Sequence, residues 1–291
     1  MDYHQRIVKA ADYIEEHLCE KISITEVASI ACVSMFHFCR MFQAITGETP
    51  GDYIRKRRFT KASQLLLNTN QPVMDIAYAL GFESHESFIR SFHKTYACSP
   101  GNYRKRKLKS VLFERKQITI NQLKHLTGGL TMKPEIKTLE AFQVVGMKTL
   151  TSLKNNKLPQ LWIQFLQRVP DIKHRIIPEI SVGLCMNDSN FDISAFTDDT
   201  EYESMTAVIV DSDRDIPNGM FSKQISGGKY AVFTHIGSLQ TLSETYDFIW
   251  GKWLPNSEFE VDSRDDFEWY DQQFLGPEHP ESKMFIYIPV K

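Results

Sequence analysis

The chain repeats itself over a distance of 50 residues near its N-terminus, and seven residues recur at this distance without a gap. Self-similarity at a fixed period indicates that one supersecondary unit is duplicated and that the two copies complete each other's core. No other feature limits the fold of this region as strongly. The recurring residues are Ser34, Phe38, Arg40, Phe42, Pro50, Gly51 and Tyr53 in the first copy and Ser84, Phe88, Arg90, Phe92, Pro100, Gly101 and Tyr103 in the second.

Each copy predicts a helix, a tight turn and a second helix. In the first copy, Ser23 and Glu26 have the spacing of a capping box, and Ser34 is placed to cap the second helix. In the second copy, Gly81 permits the turn and Ser84 caps the following helix. The duplicated unit is therefore predicted to be a helix-turn-helix.

The two copies are separated by a predicted long helix over residues 51–68. Two helix-turn-helix units on one connecting helix can read two successive major grooves, about 34 Å apart, from a single chain. The alternative is a helical bundle or a protein-binding repeat that does not contact DNA. Charge favours DNA: residues 1–116 carry 18 Lys and Arg against 12 Asp and Glu, whereas the remainder carries 16 against 24. A basic half joined to an acidic half indicates a polyanion-binding module attached to a second domain.

The second helix of each copy is predicted to carry the DNA contacts. Phe38 and Phe42 face the core at helical spacing, so other residues on the same helix should point outward. An exposed aromatic ring can pack on a thymine methyl group, and arginine can bind guanine O6 and N7. With the cap, the predicted contacts are Ser34, Phe36, Cys39, Arg40 and Gln43 in the first copy and His85, Glu86, Ser87 and Arg90 in the second.

Composition excludes several classes of protein. With 291 residues, 42% hydrophobic and 24% charged, the chain is long enough for two globular domains. Its five cysteines are dispersed, and its nine histidines show no metal-ligand spacing, so no disulfide framework, metal site or other cofactor is expected. The sequence shows no signal peptide and no stretch of 18 apolar residues. We therefore expect a cytoplasmic protein that does not associate with a membrane.

The acidic half predicts an α+β domain made of two similar halves. Each half reads as strand, helix, strand, strand, with both helices strongly amphipathic. Gly128 and Gly129 end a segment of mixed composition that we interpret as a linker. The predicted fold class is thus multidomain: an all-α tandem helix-turn-helix domain over residues 1–108, a linker over 109–132 and an α+β domain over 133–291.

One stretch of the acidic half stands out, DFEWY over residues 266–270. Strand alternation places Phe267 and Trp269 on one face and Glu268 with Tyr270 on the other. A carboxylate is thereby embedded among aromatic side chains. Taken alone, this pattern is also typical of a structural carboxylate whose hydrogen bonds are satisfied.

The repeat region resembles the AraC/XylS family of bacterial transcription regulators. The matching pattern runs from Gly81-Phe82-Glu83-Ser84 through Phe88, Arg90 and Phe92 to Ser99-Pro100 and Tyr103-Arg104, and the resemblance covers roughly residues 4–107. It implies binding to double-stranded promoter DNA, recruitment of RNA polymerase and transcriptional activation. Phe36 stands where relatives carry a base-contacting tryptophan. Cys39 replaces their glutamine and Glu86 replaces their amide, so the operator is expected to differ.

The acidic half resembles the gyrase-inhibitor-like effector-binding domain. The resemblance rests on the segments 227–232, 267–270 and 286–290 and spans about 134–291. It implies a small-molecule effector, with Glu268 as charge partner of a lipophilic cation. The candidates for the aromatic walls around Glu268 are Trp162, Tyr246, Trp250, Tyr270 and Tyr287.

Two alternatives remain open for the acidic half. Some relatives of this domain are hydrolases, in which a pair such as Glu268 and Tyr270 acts as base and acid. The domain can also serve as a protein-interaction or sequestration module without a ligand. The sequence has no Ser-His-Asp arrangement and no metal cluster, so we expect a regulator and not an enzyme.

Overall fold

A computed structural model of the chain describes residues 3–107, 132–152, 154–176, 179–185 and 200–291. The chain divides into two compact units. The described part of the first unit is residues 3–107, and the second unit comprises the described residues from 132 onward. The predicted linker over 109–132 lies outside the described residues except for its last position.

The first unit is entirely helical in its described part. Its helices are α1 (Tyr3–Glu16), α2 (Ile24–Ile30), α3 (Met35–Thr46), α4 (Pro50–Asn68), α5 (Val73–Ala79), α6 (His85–Tyr96) and α7 (Pro100–Arg106). The pairs α2–α3 and α5–α6 are the two helix-turn-helix units, and α4 connects them. The predicted duplication is therefore confirmed at the level of helices.

Serine caps define the start of both second helices. The Ser34 side chain accepts a hydrogen bond from the His37 backbone N–H at 3.3 Å, and Ser84 accepts one from the Ser87 N–H at 3.1 Å. Such caps satisfy backbone donors that the first helical turn leaves unpaired. The predicted capping box at Ser23 is wrong in one respect, because α2 starts at Ile24 without a side-chain capping hydrogen bond from Ser23.

Helix α4 is divided between the two copies. Phe59, Ala62 and Leu66 on its C-terminal half belong to the apolar cluster of the second copy, together with Phe88 and Phe92. The Phe59 and Phe92 rings meet edge to face with centroids 5.9 Å apart, a favourable arrangement for two aromatic side chains. One helix thus supplies part of the core that closes the second helix-turn-helix.

The second unit is one antiparallel eight-stranded sheet with helices. The strands are β1 (Glu135–Leu139), β2 (Phe142–Thr151), β3 (Ser181–Cys185), β4 (Tyr202–Val210), β5 (Phe221–Ile225), β6 (Gly228–Ile236), β7 (Phe267–Tyr270) and β8 (Lys283–Pro289). Their order across the sheet is β1-β6-β8-β7-β3-β4-β2-β5. Exchanging β1–β4 with β5–β8 reverses this order without changing any neighbour, so the two halves are related by a pseudo-twofold axis between β3 and β7.

The helices of this unit follow β2 and β6. They are α8 (Leu158–Arg168), continued by a 3₁₀ turn over Val169–Asp171, and α9 (Leu242–Phe248), continued by a π-helical turn over Ile249–Trp253 and α10 (Leu254–Asn256). The fold class, an all-α domain followed by an α+β domain of two halves, is confirmed. Each half has one more strand than predicted, because its first predicted strand is in fact two strands, β1–β2 in one half and β5–β6 in the other.

The described part of the chain has neither a single membrane-spanning helix nor a cluster of metal ligands. No single helix there is long and apolar enough to cross a membrane; α2 and α3 pass the length and composition test only as a pair bent by 74°. No group of three His, Cys, Asp or Glu side chains within the described ranges is placed to hold a metal ion. All five cysteines are free thiols.

Candidate DNA-binding and effector sites

Helix α3 presents an aromatic ring and a guanidinium group together. The Arg40 guanidinium carbon lies 4.2 Å from the centroid of the Phe36 ring, and both side chains are half-buried. Stacking on the ring restrains Arg40, so less side-chain entropy remains to be lost when the guanidinium binds an acceptor. Gln43 is also half-buried, one turn further along the helix.

Cys39 does not belong to this surface. It is only 3% exposed, and burial raises the pKa of its thiol well above the ordinary value. The prediction that Cys39 faces outward is wrong because α3 buries a wide arc: Cys39 lies three residues before Phe42 and shares its face. His37, which sequence reasoning did not select, is fully buried, and its Nδ1 lies 2.9 Å from the Ser34 hydroxyl.

Helix α6 presents a different surface at the equivalent positions. Glu86 and Arg90 are exposed, whereas His85 and Ser87 are half-buried. Glu86 stands where the first copy has Phe36, and Arg90 stands where it has Arg40. Both copies therefore offer an arginine, but the arginine has an aromatic neighbour in α3 and a carboxylate neighbour in α6.

The Glu268 carboxylate is held by two tyrosine hydroxyls. Tyr246 on α9 donates to Oε1 at 2.8 Å, and Tyr270, which lies on β7 like Glu268, donates to Oε2 at 2.7 Å. Strand β7 alternates as expected, since Phe267 belongs to the apolar cluster on the opposite face of the sheet. The carboxylate is half-buried, so its charge is screened less by water than that of a surface carboxylate.

Trp162 and Gly183 complete this site from the other half of the sheet. The Trp162 ring on α8 meets the Tyr270 ring edge to face, with centroids 5.1 Å apart. Gly183 on β3 pairs directly with Glu268. A Cβ atom at Gly183 would lie 2.9 Å from Glu268 Oε2 and 3.6 Å from Trp162 Cζ2, so only glycine leaves room for the carboxylate. Sequence reasoning missed Gly183, although an isolated glycine within a strand signals such a close approach.

Two predicted wall residues are not part of this arrangement. Tyr287 on β8 stacks on Phe267 with ring centroids 4.7 Å apart, which places it on the face of the sheet opposite Glu268. Its prediction as a wall is wrong because Tyr287 follows the alternation of β8, in which Ile286 is paired with Glu268. Trp250 is 1% exposed in the π-helical turn, so it offers no accessible wall surface. The site consists of Trp162, Gly183, Tyr246, Glu268 and Tyr270.

The tyrosines of this site act as proton donors in hydrogen bonds. Burial raises the pKa of Tyr270 well above its ordinary value, and the adjacent charge of Glu268 raises it further. Tyr270 therefore keeps its proton at neutral pH and donates it in the hydrogen bond to the Glu268 carboxylate. A carboxylate flanked by aromatic rings attracts an organic cation by its charge and by cation–π contact.

The second unit also contains an open groove of about 460 Å³ that is distinct from the Glu268 site. Its lining side chains are Ile236, Gln273, Leu275, Pro280, Glu281 and Lys283. None of them is aromatic, and the two charges in the lining have opposite sign. The groove therefore lacks the aromatic rings that flank the Glu268 carboxylate.

Two family models match the chain. The model described as a GyrI-like small molecule binding domain matches residues 132–291, and a helix-turn-helix domain model matches residues 27–106. The protein is therefore a transcription regulator with a DNA-binding domain and a small-molecule-binding domain. It belongs to the AraC/XylS family, in the group that carries a GyrI-like domain at the C-terminus.

Curated relatives match either most of the chain or one part of it. Right origin-binding protein of Escherichia coli K12 is 30% identical over 254 residues, which cover 84% of this chain and 82% of that protein. Transcriptional regulator BrlR of Pseudomonas aeruginosa is 33% identical over 159 residues, 55% of this chain and 56% of BrlR. Regulatory protein SoxS of E. coli K12 is 38% identical over 104 residues, 35% of this chain and 97% of SoxS.

Replacing Gly183 by alanine is expected to displace Glu268 with little loss of stability. The new Cβ meets the end of a flexible side chain, so the carboxylate can move away while the backbone stays. The smaller entropy of the unfolded alanine chain favours the variant by about 0.4–1 kcal/mol, which offsets part of the steric cost. We expect a change of less than about 1 kcal/mol in the free energy of unfolding, together with altered tryptophan fluorescence from Trp162.

Denaturant unfolding and fluorescence of the Gly183→Ala variant check this expectation. Gly101→Ala is the control, because a Cβ at Gly101 meets no atom within 4 Å. A loss of more than about 2 kcal/mol at Gly183 would mean that the sheet backbone has to shift, as overpacking of a rigid site requires.

Proposed function

We propose that the chain regulates transcription by binding an asymmetric DNA site as a monomer, with α3 and α6 in successive major grooves. The observation that carries this proposal is the duplicated helix-turn-helix with one outward arginine per copy, Arg40 and Arg90. Phe36, Gln43, His85, Glu86 and Ser87 are the further proposed contacts, and Ser34 caps the helix that carries the first set. One relative is named for binding an origin.

The two copies are proposed to contribute unequally. Arg40 stacked on Phe36 is suited to direct base reading, whereas Glu86 near Arg90 lowers the positive charge that α6 offers to phosphates. Glu86 itself can accept a hydrogen bond from cytosine N4. Activation through RNA polymerase and a cytoplasmic location belong to the same proposal and rest on the family.

Replacing Arg40 or Arg90 by alanine tests the DNA-binding proposal. Each substitution is expected to weaken binding to a selected site by about 1–3 kcal/mol, because a bidentate contact to guanine is lost. Fluorescence anisotropy at fixed salt measures the affinities. Lys9→Ala, which removes one exposed positive charge from α1, is the control and should have a smaller effect. A footprint over a single major groove, or a strict palindrome bound by a dimer, would contradict monomeric two-groove binding.

We propose further that the Glu268 site binds the effector and that the effector is a lipophilic cation. The proposal rests on a half-buried carboxylate that accepts two tyrosine hydrogen bonds beside Trp162. Tyr246 and Tyr270 hold the carboxylate, and Trp162 supplies a partly exposed aromatic face. The hydrolase and sequestration alternatives remain as outcomes of the test.

Calorimetric titration with two isosteric probes tests this site. The probes are 4-hydroxyphenyltrimethylammonium and 4-tert-butylphenol, which differ in charge but hardly in shape. Glu268→Gln should weaken binding of the cation by about 1–4 kcal/mol, because the Coulomb attraction between two unit charges about 4 Å apart is lost. The same substitution should weaken binding of the neutral probe much less. DNA affinity measured without a probe should stay constant.

Other outcomes of this titration separate the alternatives. Equal losses for both probes would make Glu268 a structural residue. Binding of neither probe to the unmodified chain would favour the sequestration module. Hydrolysis of nitrophenyl esters that disappears in Glu268→Gln would favour a hydrolase.

The domain boundaries at 1–108 and 133–291 are likewise proposed, and separate expression of residues 1–116 and 132–291 tests them. We expect each fragment to melt cooperatively, and the first to keep the DNA affinity of the full chain, because domains meet at segments with few crossing contacts. Circular dichroism melts and anisotropy measure the two properties. A non-cooperative melt of the C-terminal fragment would contradict the boundary.

A further inference from the structure

We infer that Arg58 is a positioning residue that fixes α3 and α6, the two proposed recognition helices, relative to each other. It thereby sets the spacing of the two half-sites, the DNA segments that α3 and α6 are proposed to read. The inference rests on the proposed two-groove binding of the first unit. It concerns a side chain that is directed into the protein and only 7% exposed, and that is not among the proposed DNA contacts.

Arg58 lies at the point where α4 passes from one copy to the other. Before it, Arg57 donates to both oxygens of Glu15 on α1, at 2.6 and 2.8 Å, and Tyr53 donates to the same carboxylate at 2.7 Å. Directly after it, Phe59 begins the apolar cluster of the second copy. The segment around Arg58 is therefore where a bend of α4 would change the angle between the copies.

The guanidinium of Arg58 binds the first copy through two hydrogen bonds. Nε donates to the Leu18 carbonyl at 2.9 Å, and Nη2 donates to the Glu20 carbonyl at 2.8 Å. Both acceptors lie in the segment that leaves α1 and leads to α2. The first of these hydrogen bonds is buried and the second is half-buried. Because the donor is charged, both hydrogen bonds are strong and directional.

The same guanidinium packs against the turn of the second helix-turn-helix. A Cβ atom at Gly81 would lie 3.0 Å from Arg58 Nη2 and 3.1 Å from Cζ. Gly81 also has a φ of +71°, a left-handed conformation that residues with a side chain adopt at a cost. Arg58 therefore touches the α1–α2 segment of the first copy and the α5–α6 turn of the second at once.

This contact matters because a small change in half-site spacing both shifts the second half-site and rotates it about the DNA axis. One added base pair moves the second half-site by about 3.4 Å and turns it by about 34°, since a helical turn takes about 10.5 base pairs. A rigidly connected pair of helices cannot follow this change without losing contacts. A pair connected only through α4 can follow it by bending.

The experiment measures how strongly the full chain prefers one spacing. A site is selected from random-sequence DNA with the unmodified protein, and variants with one base pair inserted or deleted between the half-sites are prepared. We expect the unmodified protein to lose at least about fivefold in affinity on either variant, a loss comparable to one mismatched base pair. Arg58→Met keeps an unbranched apolar stem as far as the position of Nε but lacks the guanidinium group. In this variant the loss should fall below about twofold, because α4 can then bend at little cost and both helices can follow the altered spacing.

Arg104→Met is the matched control. Arg104 also donates from Nε and Nη2 to two carbonyls, those of Leu66 and Gln71, but both lie in the C-terminal half of α4 or the segment that follows it. It should lower stability without changing the spacing preference. Arg58→Lys keeps the charge but replaces the planar guanidinium, whose Nε and Nη2 each bind one carbonyl, by a single nitrogen on a flexible stem. It should therefore behave like Arg58→Met, and it provides a second variant if methionine prevents folding.

The outcomes distinguish this inference from the proposed function. An unchanged spacing preference in folded Arg58→Met or Arg58→Lys overturns the role of Arg58 and leaves two-groove binding intact. An equal relaxation in Arg104→Met also overturns it, because general loosening would then suffice. A selected site with only one half-site refutes two-groove binding itself.

Discussion

Both units are stabilised by the burial of an apolar face that one copy of a duplicated element cannot cover alone. In the first unit, α4 is shared, and its C-terminal half supplies Phe59 and Leu66 to the core of the second copy. In the second unit, the central pairing of β3 with β7 joins two four-stranded halves into one sheet. Apolar burial of about 25 cal/mol per Å² drives both associations, so each pair of copies is expected to form as one structure.

The proposed effector site lies at the seam between the two halves of the sheet. Gly183 and Glu268 are paired across the pseudo-twofold axis, and each occupies the position of the other in its own half. A carboxylate at both positions would place two like charges in contact, which disfavours ionisation of both. The glycine instead leaves the space that the single carboxylate fills. The pseudo-symmetric pair of positions therefore carries a single charge.

Secondary structure that depends on period and repetition could be predicted from the sequence. The orientation of a side chain that depends on its packing neighbours could not. The 50-residue repeat identifies both helix-turn-helix units, and strand alternation separates Glu268 from Phe267 correctly. Cys39 is misplaced because the width of the buried arc on α3 depends on what packs against it. The prediction for Tyr287 is wrong because the resemblance of segment 286–290 to the family does not show on which face of the sheet the aromatic ring lies.

Other features require the pairing register, which a single sequence does not contain. Gly183 and Glu268 are 85 residues apart, and only the pairing of β3 with β7 brings them together. The strand breaks after β1 and β5 are also invisible to periodicity, because only two residues separate β1 from β2 and β5 from β6. The two strands of each of these pairs bond to different partners in the sheet, which the apolar pattern does not show.

The same logic of duplication and divergence explains why the recognition helices keep their arginines but differ beside them. The caps and aromatic core residues Ser34, Phe38, Phe42 and Tyr53 recur unchanged in the second copy, because they serve the same fold there. Phe36 and Glu86, which lie four residues before the arginines, face away from that core. They are therefore free to differ between the copies. Arg40 stacks on its aromatic neighbour Phe36. Arg90 instead follows a carboxylate by one helical turn, and in the proposed complex this negative charge opposes the attraction of the helix for DNA phosphates. If both helices enter the DNA as proposed, binding of the stronger copy holds the weaker copy next to its own groove. A rigid connection between α3 and α6 then becomes more important, because it determines where the weaker copy is held.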